Sequence, residues 1–150
     1  MATRGTIAIE LKDGKVKQVY SHWDNYLSHN GAILLEHYSD PTKLEALIDL
    51  GDISSLAPEV GEKHPLFSSL ECNMDYDQYQ ALYGDMTTFY GRERGETGID
   101  AKTFFDFEMY RLSAEFEEYN YILRNTGQWY VSFGNRSFHE LDEEMVATEE

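Results

Sequence analysis

His22, Trp23 and Asp24 form the grouping in this chain nearest to a reactive site. Alternation along a strand puts His22 and Asp24 on one face at i, i+2, where an imidazole and a carboxylate can pair for proton transfer or share a metal ion. The plainer account has Trp23 in the core, Asp24 capping a turn and His22 half exposed at a strand end. Arg92 and Arg94 stand two residues apart between Gly91 and Gly95, a spacing that presents two guanidinium groups to an anion. Their neighbours Glu93 and Glu96 offer the alternative of a salt-bridged turn. His22, Asp24, Arg92 and Arg94 therefore make a candidate ligand site on one condition, that the fold brings all four to one cavity.

The other reactive residue types lack the spacing their chemistry needs. His29, His37, His64 and His139 are scattered, without the HExxH pattern of a zinc helix. Asp75-x-Asp77 lacks the glycine and closing glutamate of a calcium loop. Cys72 is the single cysteine, which excludes an intramolecular disulfide and a Cys/His zinc framework and suits a reducing compartment. There is no phosphate loop ending in Lys-Ser/Thr and no GxSxG. No catalytic residue, metal ligand or cofactor is assigned on this reading, and the chain is read as a binding protein rather than an enzyme.

Charge is the stronger signal. The 150 residues carry 28 Asp+Glu against 12 Lys+Arg, a formal net charge of −16, where solubility alone asks for a magnitude of roughly 2–8. The excess is uneven, with 10 acids and 6 bases in residues 1–70 and 18 acids and 6 bases in 71–150. Such a surface repels phosphates, so direct nucleic-acid binding is excluded, and so is attraction to anionic lipid. It suits the reverse role, a protein that resembles nucleic acid to a basic groove. Duplex DNA carries one charge per ~1.7 Å, so sixteen charges on one face would match roughly 27 Å of duplex.

Three stretches concentrate the acids. Residues 71–91 hold Glu71, Asp75, Asp77 and Asp85, residues 104–118 hold Asp106, Glu108, Glu115, Glu117 and Glu118 against Arg111 alone, and residues 140–150 hold six acids and no base. Each by itself reads as a solvated helix face or tail. Taken together, and interleaved with tyrosines, they make Asp75, Asp77, Asp85, Asp106, Glu108, Glu115, Glu117 and Glu118 the candidate partner-binding surface.

The elements that must position these residues follow from periodicity. Ile7, Ile9 and Leu11 alternate with polar neighbours, Asp13-Gly14 supplies a turn that tolerates positive φ, and Val16–Tyr20 resumes a strand, so residues 6–22 read as a hairpin. Residues 32–38 read as a short helix. Asp40-Pro41 reads as N-cap and first position of another helix, with Leu44, Leu47 and Ile48 inward and Gly51 as its stop. Residues 52–74 read as loop, 75–84 as a brief helix and 86–90 as a strand. From Asp100 onward, Phe105, Met109, Leu112 and Phe116 follow helical spacing and predict a helix with that face buried. Residues 118–133 read as a second hairpin turning at Asn125-Thr126-Gly127, and Ser137-x-x-Glu140 as the capping box of a C-terminal helix. The expected fold is one α+β domain over 1–150: an antiparallel sheet built mainly from two hairpins, helices on one face, and an acidic tail. No apolar run reaches the length of a membrane span, and the absence of a leader-like segment points to the cytoplasm.

Several segments carry a resemblance. Thr6-Ile-Ala-Ile-Glu10, Val19-Tyr-Ser-His-Trp-Asp24, Asn30-Gly-Ala-Ile-Leu-Leu-Glu-His-Tyr38 and Leu47-Ile-Asp-Leu-Gly-Asp-Ile-Ser-Ser-Leu56 resemble a family of small, acidic phage and prophage proteins. Thr88–Glu96, Glu118–Tyr121 and Trp129–Val131 are similar to it too, so the resemblance extends over most of the chain. Where that pattern has a glycine after Trp-Asp, this chain has Asn25. The resemblance brings no catalytic residues. It implies a phage accessory protein working in the bacterial host cytoplasm, a class that includes inhibitors of host defence. The expectation is an acidic protein that binds and inhibits a host nucleic-acid-handling protein of the CRISPR-effector or restriction-enzyme class. The alternatives are a small enzyme or ligand-binding module around His22, Asp24, Arg92 and Arg94, and an accessory protein that binds a phage partner.

Overall fold

Strands over residues 5–10, 16–21, 119–123 and 129–132, buried on both faces along most of their length, set the centre of the molecule. A computed structural model describes residues 2–67 and 73–148; Glu71, Cys72, Glu149 and Glu150 lie outside these. In chain order the elements are β1 (Gly5–Glu10), β2 (Val16–Ser21), a π-helical turn (Leu27–Gly31), α1 (Ala32–His37), α2 (Pro41–Asp49), β3 (Ile53–Ser55) and α3 (Tyr76–Tyr83). They continue with β4 (Thr88–Phe89), β5 (Lys102–Phe104), α4 (Phe107–Ser113), β6 (Tyr119–Leu123), β7 (Trp129–Ser132), β8 (His139–Glu140) and α5 (Glu143–Thr148).

The strands form one open sheet in the order β4-β3-β2-β1-β6-β7-β8, with β5 also paired to β2. Helices and strands are intermixed, as an α+β fold requires, but the sheet is mixed rather than antiparallel. β1 runs antiparallel to β2 and parallel to β6, from Gly5 opposite Tyr119 to Ile9 opposite Leu123, while β3 meets β2 in parallel at Ser21 and Ile53. The reason is topological: β1 is central, and its second neighbour comes from the far end of the chain rather than from an adjacent turn.

Helices cover both faces, a second correction. On one face Ile7, Ile9, Val19, Tyr121, Leu123, Trp129 and Val131 pack with Leu34 of α1 and Leu44, Leu47 and Ile48 of α2, with Met145 and Val146 of α5 against them. On the other, Ala8, Val16 and Ile122 pack with Tyr110 of α4, Ala114 at its C-terminal cap and the rings of Phe104, Phe107, Phe116 and Phe138. That aromatic cluster is held edge to face, with Tyr110 and Phe116 centroids 5.4 Å apart. Next to it a polar row crosses the sheet in register: Tyr20, Thr6, Asn120 and Ser132. Thr6 Oγ1 donates to Asn120 Oδ1 (2.8 Å), and Asn120 Nδ2 to the Glu117 carbonyl (2.8 Å), so this row ties residues 115–118 to the strands.

Local signals placed α2 well. Asp40 caps it by accepting from the Thr42 amide, Pro41 opens it, and Gly51 follows it at φ +90°, where Ile99 fills the space a side chain would need. Two expected helices differ. The segment from Asp100 first forms β5, and α4 begins only after Asp106. Ser137 caps nothing helical; residues 139–140 are strand β8, and α5 starts later, with Asp142 accepting from the Met145 amide. Loop 52–74 also contains β3, too short to show a period of its own.

Candidate functional site

His22 directly follows β2, where its amide and that of Trp23 donate to the Ile53 and Ser54 carbonyls. Its Nδ1 meets the Tyr20 hydroxyl at 2.7 Å, not the Asp24 carboxylate. Tyr20 lies half buried, and desolvation raises its hydroxyl's pKa above the usual range. Trp23 is not core; it is exposed and packs edge-on against the His22 ring at 4.7 Å. Asp24 turns away at φ 62°, and its carbonyl accepts from the Asn30 amide. The buried Asn25 then knots the turn: its Nδ2 donates to the carbonyls of Thr3 and Ser21 (both 2.9 Å), and its Oδ1 accepts from Asn30. Gly5 passes so close that a Cβ there would lie 2.6 Å from Asn25 Cγ.

The two arginines part company. Arg94 stays outside, over the Tyr90 ring at 5.4 Å, with its Nε donating to Glu96. Tyr90 is also a neighbour of His22, at 6.5 Å between centroids, so His22 and Arg94 flank one tyrosine. Arg92 turns inward. Its Nε donates to Glu93 Oε2 (2.6 Å), and its other nitrogens to the carbonyls of Val60, Gly61 and Thr87. The Glu93 side chain is 0% exposed and that of His64 1%. Glu93 Oε1 accepts from the Phe89 amide (2.8 Å), while His64 bonds the Glu62 carbonyl and Thr88 and stacks on Tyr83. Every strong donor here meets an acceptor, which makes the cluster a clamp that fastens residues 60–64 to β4. The fold thus brings His22 and Arg94 together around Tyr90 and sends Asp24 and Arg92 elsewhere.

None of the four lines either of two cavities at the surface of the described residues. One of about 450 Å³ lies between the start of α2 and the carboxyl ends of β1 and β6, lined by Ile9, Leu11, Leu123 and Pro41. At its edge, Arg124 Nε pairs with Glu10 (2.8 Å) and its guanidinium lies 3.6 Å from the Phe107 ring centroid. A smaller cleft of about 170 Å³ lies over the polar row, with Asp52, Asp100, Glu115 and Glu117 on its walls and Lys102 among them. Asp52 accepts from the Tyr20 amide at 2.9 Å, and burial raises its pKa. No group of three or more described side chains is arranged to hold a metal ion.

The acids divide by what they already do. Asp75 and Asp106 are helix caps, accepting from the Gln78 and Met109 amides, and Glu108 holds Arg111 at 2.7 Å. Asp77, Asp85, Glu115 and Glu118 are exposed, Glu117 is half buried, and Glu115 has only Lys102 at 3.7 Å. Asp75, Asp77 and Asp85 belong to the part of the chain that leads to the β4 edge; Asp106 and Glu108 lie at the start of α4, and Glu115 and Glu117 on the wall of the cleft over the polar row.

Around α4 the structure shows what periodicity misplaced. The helix and its cap bury Tyr110 and Ala114, and of the four residues expected inward only Phe116 joins them: Phe105 is 77% exposed, Leu112 54% and Met109 47%. Their spacing did carry a signal, of an apolar helix surface, but of one turned outward. Comparison with family models, curated proteins and solved structures finds no match to this chain.

Proposed function

We propose that this chain is a phage-encoded acidic binding protein that blocks the nucleic-acid-binding surface of a host protein in the bacterial cytoplasm, a CRISPR effector or restriction enzyme being the class that fits. The observation that carries the reading is that seven of the twelve bases are held by acids within the fold while a larger number of acids is left over. Lys17 is held by Glu45 and Asp49, Lys43 by Glu59, Arg92 by Glu93, Arg94 by Glu96, Arg111 by Glu108 and Arg124 by Glu10. Asp77, Asp85, Glu117, Glu118 and the acids of α5 have no cation among the ion pairs of the described residues, so a negative field reaches solvent. Such a field draws in a basic groove and competes with nucleic acid for it.

The test is capture of partners from bacterial lysate at low and high salt, followed by competition with duplex DNA. A nucleic-acid-handling protein retained at low salt, released as salt rises and displaced by DNA supports the reading. Retention that persists at ~1 M salt, where the Debye length is about 3 Å, defeats the electrostatic form of it. Lysine substitutions belong at Asp77, Asp85, Glu117 and Glu118, because at Asp75 and Asp106 they would also remove a cap.

A further inference from the structure

We propose that α4 and the residues flanking it form a docking site for a basic amphipathic helix of the partner, whose apolar side chains would cover Phe105, Met109 and Leu112. This rests on the binding role above and names the surface that performs it. Met109 and Leu112 lie one turn apart on α4, and Phe105 stands just before its Asp106 cap. All three project away from the aromatic cluster that anchors the helix through Tyr110 and Ala114. A contiguous exposed apolar patch is a feature of interaction surfaces.

Charge selects the occupant. Asp106 caps α4 and Glu108 lies in its first turn, beside Phe105 and Met109 in the chain, and Glu115, Glu117 and Glu118 follow its end, while Arg111 is tied to Glu108, and Arg136 donates to the Arg111 and Ala114 carbonyls there. A second copy of this chain would bring like-charged rims together and is disfavoured. An anionic membrane is repelled for the same reason. A partner with Arg or Lys around a Leu- or Phe-rich ridge satisfies both the apolar centre and the acidic rim. The seven residues of α4 span about 10 Å, two helical turns, which suits side-by-side packing against a helix bearing i, i+3, i+4, i+7 anchors.

The experiment uses the full chain and two fluorescein-labelled synthetic peptides of roughly 18 residues, long enough to hold a helix. Both have the same leucines and arginines; in one the leucines form a single stripe, and in the other they are spread around the helix. Anisotropy titration should give the striped peptide about tenfold tighter binding or better. In the Phe105→Ser/Leu112→Ser double variant that advantage should vanish, with a weak, salt-sensitive attraction left for both peptides. Glu115→Lys/Glu118→Lys should weaken both peptides alike. An unchanged far-UV spectrum and thermal midpoint show that each variant is folded.

Equal binding of the two peptides, undiminished binding by the serine variant, or no binding of either peptide overturns the docking site. If the peptides bind equally and only the lysine variant loses affinity, the acidic reading survives without the apolar one. If the serine variant loses the striped peptide while neither salt nor lysine substitution matters, the apolar surface stands and the acidic reading falls.

Discussion

Residues 60–64 and 87–93 put charge inside the molecule, whereas residues 105–118 put apolar surface outside it, and the two regions invert the usual rule in opposite ways. In the first, Arg92, Glu93 and His64 are withdrawn from solvent, and each finds its acceptors or donors within the fold. In the second, Phe105, Met109 and Leu112 face water although an aromatic cluster lies just behind them. The difference teaches where to look for function: an inversion that the fold satisfies internally is structure, and one left unsatisfied is available to a partner.

The contrast can be broken most severely at Glu93. Glu93→Ala strands the Arg92 guanidinium and the Phe89 amide, and should cost about 3–5 kcal/mol, read as a lower denaturant midpoint. Glu93→Gln keeps an acceptor and should cost less. At the outward region the corresponding cut is to the cap: Asp106→Ala removes the acceptor of the Met109 amide and should cost about 1 kcal/mol. A full 3 kcal/mol there would show that α4 is as deeply tied into the fold as the Arg92 clamp.

A pH series sharpens the comparison further. Burial raises the pKa of Asp52 above its ordinary 3.8, so the folded protein holds that proton more tightly than the unfolded chain does. Ionised Asp52 therefore weighs against the fold. The penalty is absent below pH 3.8, grows as pH rises toward the folded value and is complete above it. Asp52→Asn retains an acceptor for the Tyr20 amide, so it should stabilise the protein at neutral pH and lose that advantage in acid, as thermal midpoints at several pH values would show. The smallest effect belongs to the exposed residues. Phe105→Ser and Leu112→Ser should each change stability by less than about 0.5 kcal/mol, because what they remove faces water. A loss of several kcal/mol would mean that these side chains belong to the core.

Legibility in the sequence followed distance along the chain. The Asp13-Gly14 turn and the Asp40-Pro41 cap are short-range chemistry and stand where the residues put them. The α4 region misleads because it holds two interleaved apolar series. Phe105, Met109, Leu112 and Phe116 have helical spacing, but so do Phe107, Tyr110 and Ala114, and only the other side of the sheet decides which is buried. β5 occupies residues that the first series had assigned to helix. Glu93 beside Arg92 reads locally as an exposed pair; what draws Arg92 inward are the carbonyls of Val60 and Gly61, some thirty positions earlier. The pairing of β1 with β6 leaves no local mark at all.

That last pairing has a consequence in time. Thr6 and Asn120, hydrogen bonded at the middle of the sheet, are separated by 114 positions. A ribosome therefore completes β1 and β2 long before β6 exists, and throughout that interval one edge of the earliest strand stands open to any extended chain that passes. The final closure is a search over almost the whole polypeptide, which places it among the slower folding steps.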